Sequence, residues 1–311
     1  MSAFSDTETL NSEEAKWEEL AAKYFAPKST SALVEFGALT HPGNVRANNE
    51  DHYSVVRRFR SREVLLTNMP PDTYPSQTDE AYALAVADGV GGAAFGELAS
   101  MIALRSGWQL TGTAFKWPFK VDEAESLEVE ESLRIFVQMI HRRLQAQAGS
   151  NSPLKGMGTT LTGALTVGMD AFIAHAGDSR AYLFRRGQLH RLTRDHTLAE
   201  QLVADGILNS IDESSSRFRS TLVNCLGGIF EDVQVDTCHV PLQDNDQLLL
   251  CTDGLTDMVF DADIAQILAA ASPAQATCQT LIDSALANGG RDNVTVVLAR
   301  YQAVNEARCG S

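Results

Sequence analysis

The sequence predicts an α+β domain, and three observations carry that prediction. Strand-length apolar segments follow one another directly between residues 160 and 191, where a doubly wound sheet would alternate each strand with a helix. Apolar residues make up 44% of the 311-residue chain and charged residues 21%, a balance that can bury a large core. After residue 30 no stretch rich in Pro, Gly or Ser divides the chain. One domain over 31–301 is therefore expected, with an acidic extension over 1–30 and a short tail over 302–311.

The elements can be justified in order. Residues 12–24 place Trp17, Leu20, Ala21 and Tyr24 on one stripe, the spacing of an amphipathic helix. Strands are expected at Ala32–Thr40 and Tyr53–Phe59, with a third at Arg62–Thr67. The proline-rich MPPDTYPSQTDE then reads as a loop before the apolar strand AYALAVA. Helical periodicity runs from Ala93 to Gly107 and again from Ser126 to Ala148, whose face holds Leu127, Leu133, Ile135, Phe136, Met139, Ile140 and Leu144. After the turn KGMGTT come strands at Thr160–Val167, Ala171–Ala176, Ala181–Arg185 and Gln188–Arg191, the last two joined by Arg186-Gly187. A helix near Leu198–Asp205 leads into the polar DESSSRFRS. Strands follow at Val233–Val240 and Gln247–Thr252, helices at Asp261–Ala271 and Ser272–Asn288, and a last strand at Asn293–Arg300.

Charge excludes several functions. A formal net charge of −15 argues against nucleic acid and anionic lipid, both of which reward clustered Lys and Arg. No apolar run is long enough to span a bilayer, and the acidic N-terminus lacks the features of a secretory signal. A monomeric cytoplasmic protein without a membrane partner is expected. The five cysteines are scattered, with no CxxC pair, so neither a disulfide framework nor a zinc site follows. Cys251, inside QLLLCT, reads as a buried small hydrophobe rather than a nucleophile.

The informative feature is the placing of aspartates at strand ends. Asp88 follows AYALAVA, Asp178 follows AFIAHAG, Asp253 follows QLLLCT, and Asp292 precedes NVTVVLA. Any single Asp-Gly is most simply a turn. Four such acids at the ends of strands from one core can converge, and converging carboxylates repel unless something neutralises them. An oxygen-only set suits hard divalent cations such as Mg²⁺ or Mn²⁺. Two ions bridged by one carboxylate would turn a shared water into hydroxide, in line with a phosphorus atom. A phosphate also needs a cation from the protein, and Arg46 offers a fork for two of its oxygens. The plainer reading of Arg46 is a surface arginine paired to a nearby acid.

Six motifs in order carry a resemblance: TxxGxxRxxNED over Thr40–Asp51, DGVGG over Asp88–Gly92, GTT over Gly158–Thr160, GDSR over Gly177–Arg180, TDGLTD over Thr252–Asp257 and RDNVT over Arg291–Thr295. Together they resemble the metal-dependent type 2C protein serine/threonine phosphatases, the PPM family, in their compact bacterial form. The resemblance covers about residues 31–301. It implies a four-layer α-β-β-α sandwich of two antiparallel sheets flanked by helices. It implies Mn²⁺ or Mg²⁺ as cofactor, as two core ions and a weaker third. Asp88 would bridge the core pair with the Gly89 carbonyl on one ion, and Asp253 and Asp292 would serve the other. Asp178, with Asp253, would make the third site, near Asp257. Glu50 and Asp51 would act around the metals mostly through water, and Arg46 would bind phosphate. The segment from His196 to Cys225 falls at the family's substrate-selecting flap. Substrates would be phosphorylated proteins, and the partner a serine/threonine kinase that the enzyme opposes.

One departure stands out. Where some members carry a histidine for the leaving group, this chain has Val90 and Ala93. Either metal-bound water would protonate the leaving alkoxide or another histidine would serve, and His52 is the nearest in sequence. His175 reads as a packed strand residue, and His41, His141, His190, His196 and His239 have no motif to argue from. A pseudoenzyme that only binds phosphoproteins is the rival from another class, disfavoured because the acids and Arg46 are all present. A phosphohydrolase for small molecules is the other alternative.

Overall fold

The computed structural model describes residues 31–61, 63–70, 78–90, 95–113, 123–208, 218, 220–270 and 272–304. Thirteen strands are found among them: β1 (Ala32–His41), β2 (His52–Ser61), β3 (Thr78–Ala87), β4 (Gly89–Val90), β5 (Gly158–Thr159), β6 (Leu161–Val167), β7 (Asp170–Ala176), β8 (Arg180–Arg185), β9 (Gln188–Arg191), β10 (Leu226–Gly227), β11 (Asp236–Pro241), β12 (Gln247–Cys251) and β13 (Val294–Ala303). Six α-helices accompany them: α1 (Phe95–Thr113), α2 (Glu123–Ser150), α3 (Leu198–Ala204), α4 (Asp253–Thr256), α5 (Asp261–Ala269) and α6 (Ala274–Ala287). No helix among the described residues is long and apolar enough to cross a membrane.

Two five-stranded antiparallel sheets form the body, ordered β1-β13-β12-β8-β9 and β11-β7-β6-β3-β2, with a small sheet β10-β5-β4 beside them. Alternation along the strands explains the layering, because successive side chains leave opposite faces. On β13, Val297, Ala299 and Tyr301 join Leu248 and Leu250 of β12 against Leu84, Val86 and Ile173 of the other sheet. The intervening Val294, Val296 and Leu298, with Leu249 and Cys251, turn outward onto Ile264 and Leu268 of α5 and Cys278 and Leu281 of α6. On the far side, Ala99, Ile102 and Ala103 of α1 and Val137, Ile140 and Leu144 of α2 cover Ala87, Leu161 and Ala174. The result is helix, sheet, sheet, helix, the four-layer sandwich that the resemblance implied.

Some expectations need correcting. Residues 63–67 form no strand, and Leu65 and Leu66 are 80% and 95% exposed. An apolar run is not enough where no neighbouring strand supplies a ladder. β2 instead runs on to Ser61, and β3 begins at Thr78 to pair with it. The region expected as a strand from Val233 is a strand only from Asp236, and β13 continues to Ala303, opposite Ala32. Both long helices extend past their periodic cores, to Thr113 and Ser150. On α2, Leu127, Ile135 and Met139, expected on the apolar face, are exposed, because the stripe that packs on the sheet is the narrower one through Val137, Ile140 and Leu144. The two-residue strands β4, β5 and β10 and the one-turn helix α4 went unforeseen, being too short to show a period. The helix expected over 12–24, Ala93, and most of DESSSRFRS lie outside the described residues.

His175 is a packed strand residue, as read from sequence. It is 1% exposed, Nε2 donates to the Arg194 carbonyl at 2.9 Å, and Nδ1 meets the Thr162 hydroxyl at 2.8 Å. Burial pushes its pKa down to about 4. The unfolded chain therefore binds a proton that the folded one refuses between about 6.5 and 4, and stability falls as pH drops through that window. Relative to His175→Gln, whose amide does not titrate, the native chain is expected to lose on the order of 3 kcal/mol from pH 6.5 to pH 4. Paired denaturant titrations at the two pH values check this, and parallel curves would refute it.

Candidate functional site

The ends of β3, β7, β12 and β13 meet at one edge of the sandwich, and the loop from His41 to Asp51 folds over them. Asp88 leaves the end of β3, and its backbone is clasped by the Gly-Thr-Thr turn. Its N–H donates to Thr160 Oγ1 at 3.0 Å, and its carbonyl accepts from the Thr160 N–H and the Thr159 hydroxyl, both at 2.8 Å. These bonds use main-chain atoms and leave the carboxylate available. Gly89 follows because a Cβ there would strike the Gly96 backbone at the start of α1.

Asp51 is 3% exposed, and a chain of hydroxyls holds it. Asn49 Nδ2 donates to Thr40 Oγ1 at 2.8 Å, and Thr40 Oγ1 lies 2.7 Å from Thr295 Oγ1. Thr295 and Thr252 then each donate to Asp51 Oδ2 at 2.8 Å. The other oxygen, Oδ1, is buried without a hydrogen-bond partner, and so is Oδ1 of Asp253 at the first residue of α4. Asn293 anchors the overlying loop, accepting from the Glu50 N–H at 2.8 Å and donating to the Pro42 and Asn48 carbonyls at 2.9 and 2.8 Å. Arg46 Nη2 donates to Asp292 Oδ2 at 2.7 Å, while Asp292 Oδ1 takes the Asn293 N–H at 2.8 Å.

Electrostatics follow from this crowding. Burial and then the charges of Asp51, Asp253, Asp178 and Asp292 push the Asp88 carboxyl well above its ordinary range. Burial, followed by Asp178, Asp257, Asp292 and Asp51, does the same to Asp253. Asp51 and Asp178 are raised too, chiefly by burial. Burial also raises Glu50, against the pull of Arg46. The Asp51 charge opposes ionisation of Asp88, and two buried carboxylates that repel in this way call for a cation between or beside them.

Among the described residues no three His, Cys, Asp or Glu side chains stand ready as a complete ligand set. Hard cations do not require one, since Mg²⁺ and Mn²⁺ take carboxylates, carbonyls and several waters. Two orphaned buried carboxylate oxygens inside a group of five aspartates, with one arginine at the rim, fit divalent cations in kind. The thiols fit no such role: burial pushes Cys225, Cys251 and Cys278 each up to about 12.

The sequence pattern of the family described as protein phosphatase 2C matches residues 72–288. The chain belongs to that family. The serine/threonine phosphatase stp of Listeria monocytogenes is 33% identical over 272 residues, 88% of this chain and 98% of the relative. The crystal structure of the Mycobacterium tuberculosis serine/threonine phosphatase PstP/Ppp superposes with a TM-score of 0.69 at 31% identity, covering 86% of this chain and 99% of that one. The catalytic domain of PstP in complex with two manganese ions gives a TM-score of 0.66 at 30% identity, covering 88% of this chain and all of that one. The chain is accordingly a protein serine/threonine phosphatase.

In this phosphatase the structure brings together Asp51, Asp88, Asp253 and Asp292: the charges of Asp51 and Asp292 act on both Asp88 and Asp253, and that of Asp253 acts on Asp88. Asp178 and the exposed Asp257 join on the Asp253 side. Arg46 lies at the rim, bound to Asp292, as the plainer reading of it had allowed. His52 is tied down: its Nδ1 lies 2.8 Å from the Ser100 hydroxyl, which itself reaches the Glu50 carbonyl at 2.6 Å. Burial lowers its pKa, although Glu97 opposes the shift. A neutral ring anchored to α1 is a poor leaving-group acid. His41 accepts the Gly43 N–H on Nδ1 at 2.9 Å and shapes the turn before Arg46. The residues that sequence reasoning passed over are Thr40, Asn49, Thr160, Thr252, Asn293 and Thr295. All stood inside the quoted motifs, and their being uncharged hid their part.

Proposed function

We propose that this phosphatase hydrolyses phosphoserine and phosphothreonine in proteins with divalent ions, Mn²⁺ or Mg²⁺, held by Asp88, Gly89, Asp253 and Asp292, and that it opposes a cytoplasmic serine/threonine kinase. Asp178, with Asp253 and Asp257 nearby, would hold a weaker third ion. The single observation that carries the reading is the buried carboxylate cluster with its two orphaned oxygens. The manganese complex of PstP, a relative of the same fold, supports the choice of ion and the number two. When bound, such ions supply Lewis acidity and a nucleophile at neutral pH.

The remaining work falls to the chain itself. The hydroxyls of Thr252 and Thr295 favour the ionised form of Asp51 and fix its orientation. Asn293 and the clasp on Asp88 hold the two halves of the cluster at a set separation, which is preorganisation. Arg46, with 59% of its side chain exposed, presents its guanidinium to a phosphate arriving from solvent. The buried, protonated thiols argue against a phosphocysteine route. The test is hydrolysis of a phosphothreonine peptide by the purified chain with Mn²⁺, with Mg²⁺ and with EDTA. Turnover that requires either ion and vanishes with EDTA is expected. A folded chain inactive with both ions would overturn the reading.

A further inference from the structure

Beside the carboxylate cluster, a buried polar network grips the residue that precedes Asp178. His196 is 8% exposed. Its backbone N–H donates to the Gly177 carbonyl at 2.7 Å, and its ring Nδ1 accepts from the Gly177 N–H at 3.2 Å. The same Nδ1 accepts from Asn224 Nδ2 at 2.7 Å. Two donors aimed at Nδ1 put the ring proton on Nε2, which donates to Asp236 Oδ2 at 3.0 Å. That hydrogen bond, first among its causes, holds the Asp236 carboxyl down to about 2, so its oxygen is an acceptor throughout the working range.

Asn224 is fixed in its turn: Nδ2 donates to the Gln234 carbonyl and Oδ1 accepts from the Gln234 N–H, both at 2.9 Å. Each polar atom of this ring is thereby committed to orientation. Gly177 has φ +122°, a conformation that L side chains rarely adopt, and a Cβ would meet the Thr160 side chain at 2.6 Å. Its peptide is therefore pinned between Thr160, which also clasps Asp88, and His196. Asp178 is the next residue and is itself 8% exposed.

His196 also closes the neck of the segment expected as the flap. The Val223 N–H donates to the His196 carbonyl at 2.9 Å, the Leu198 N–H donates to the Thr221 carbonyl at 2.8 Å, and Thr197 bridges to Leu222. One residue thus holds both the neck and the Asp178 turn.

We propose that His196, oriented by Asp236 and Asn224, is a positioning residue for Asp178, through which the neck at 196–198 and 221–223 sets the placement of that carboxylate. The metal part of this inference rests on the reading of Asp178 as a ligand of the weaker third ion. The clamp on Gly177 stands on the hydrogen bonds alone. Removing the Asp236 carboxylate leaves Nε2–H without its acceptor and lets the ring change tautomer, which would set a proton on Nδ1 against two donors. Asp236→Asn keeps an acceptor oxygen and should keep the tautomer.

The test uses the full chain with His196→Ala, Asp236→Ala and Asp236→Asn, each shown to be folded by circular dichroism. Amide exchange at Gly177, followed by NMR without metal, is expected to quicken roughly tenfold in the two alanine variants and stay near native in Asp236→Asn. Calorimetric titration with Mn²⁺ alone should show the weakest binding event losing about ten- to a hundredfold in affinity in the same two variants. Gly177 exchange unchanged in Asp236→Ala, or equal losses in Asp236→Ala and Asp236→Asn, would overturn the proposal. If His196→Ala does not fold, the Asp236 pair decides alone. A native chain that binds no Mn²⁺ and hydrolyses no phosphopeptide refutes the phosphatase chemistry instead, and the exchange rates still judge the clamp.

Discussion

Asp88→Asn is expected to abolish phosphopeptide hydrolysis, by at least roughly 10²–10³-fold, while the metal-free protein melts at a higher temperature than the native chain. The two halves of this result share one cause. In the folded chain Asp88 is hemmed in by Asp51, Asp253, Asp178 and Asp292, and burial plus those charges already oppose its ionisation. A neutral amide of the same shape removes the repulsion, so the folded state gains. The hydrogen bonds that hold residue 88 run through its main chain to Thr159 and Thr160 and survive the substitution. What is lost is the charge that binds cations. Thermal melts in EDTA and in Mn²⁺, beside a phosphothreonine peptide assay, measure both halves. Activity within tenfold of native would sink the role assigned to Asp88. A lower melting temperature in EDTA would show that repulsion does not dominate the site.

This opposition of stability and function also marks where the sequence was legible. The buried stretches of β12 and β13 could be read from the sequence, because alternate apolar side chains serve two different cores and leave a near-continuous run. The acids at their ends were legible for the same reason, since a charge at the end of a buried strand has no packing explanation. By contrast, Val64-Leu65-Leu66 looked like a strand and is exposed coil, because strand formation depends on a neighbour that sequence does not display. The hydroxyl chain from Asn49 through Thr40 and Thr295 to Asp51 joins residues more than 200 positions apart. Nothing local distinguishes those threonines from ordinary strand residues. Likewise Arg46 could be assigned to phosphate or to a neighbouring acid, and only the fold shows that Asp292, 246 positions away, is its partner.

Divalent ions are expected to raise the melting temperature strongly, and the gain should grow as pH rises from 6.5 to 8. Asp51, Asp88, Asp178 and Asp253 all have folded-state pKa values raised above the unfolded range near 4. A group raised in this way contributes stability that is complete below its unfolded pKa and is lost as pH climbs through its folded value. The metal-free protein should therefore weaken across this interval, as protons leave carboxylates that repel one another. A bound cation reverses the sign, since it needs the carboxylates ionised and competes with the same protons. At 100-fold excess over its dissociation constant, one ion adds about 2.7 kcal/mol to stability by mass action alone. Starting at pH 6.5 keeps His175, which destabilises the fold only at lower pH, out of the measurement. Melts in EDTA and in excess Mn²⁺ at pH 6.5, 7.2 and 8 give the difference directly. A difference that is flat or shrinks with pH would mean that the ions do not bind at these carboxylates.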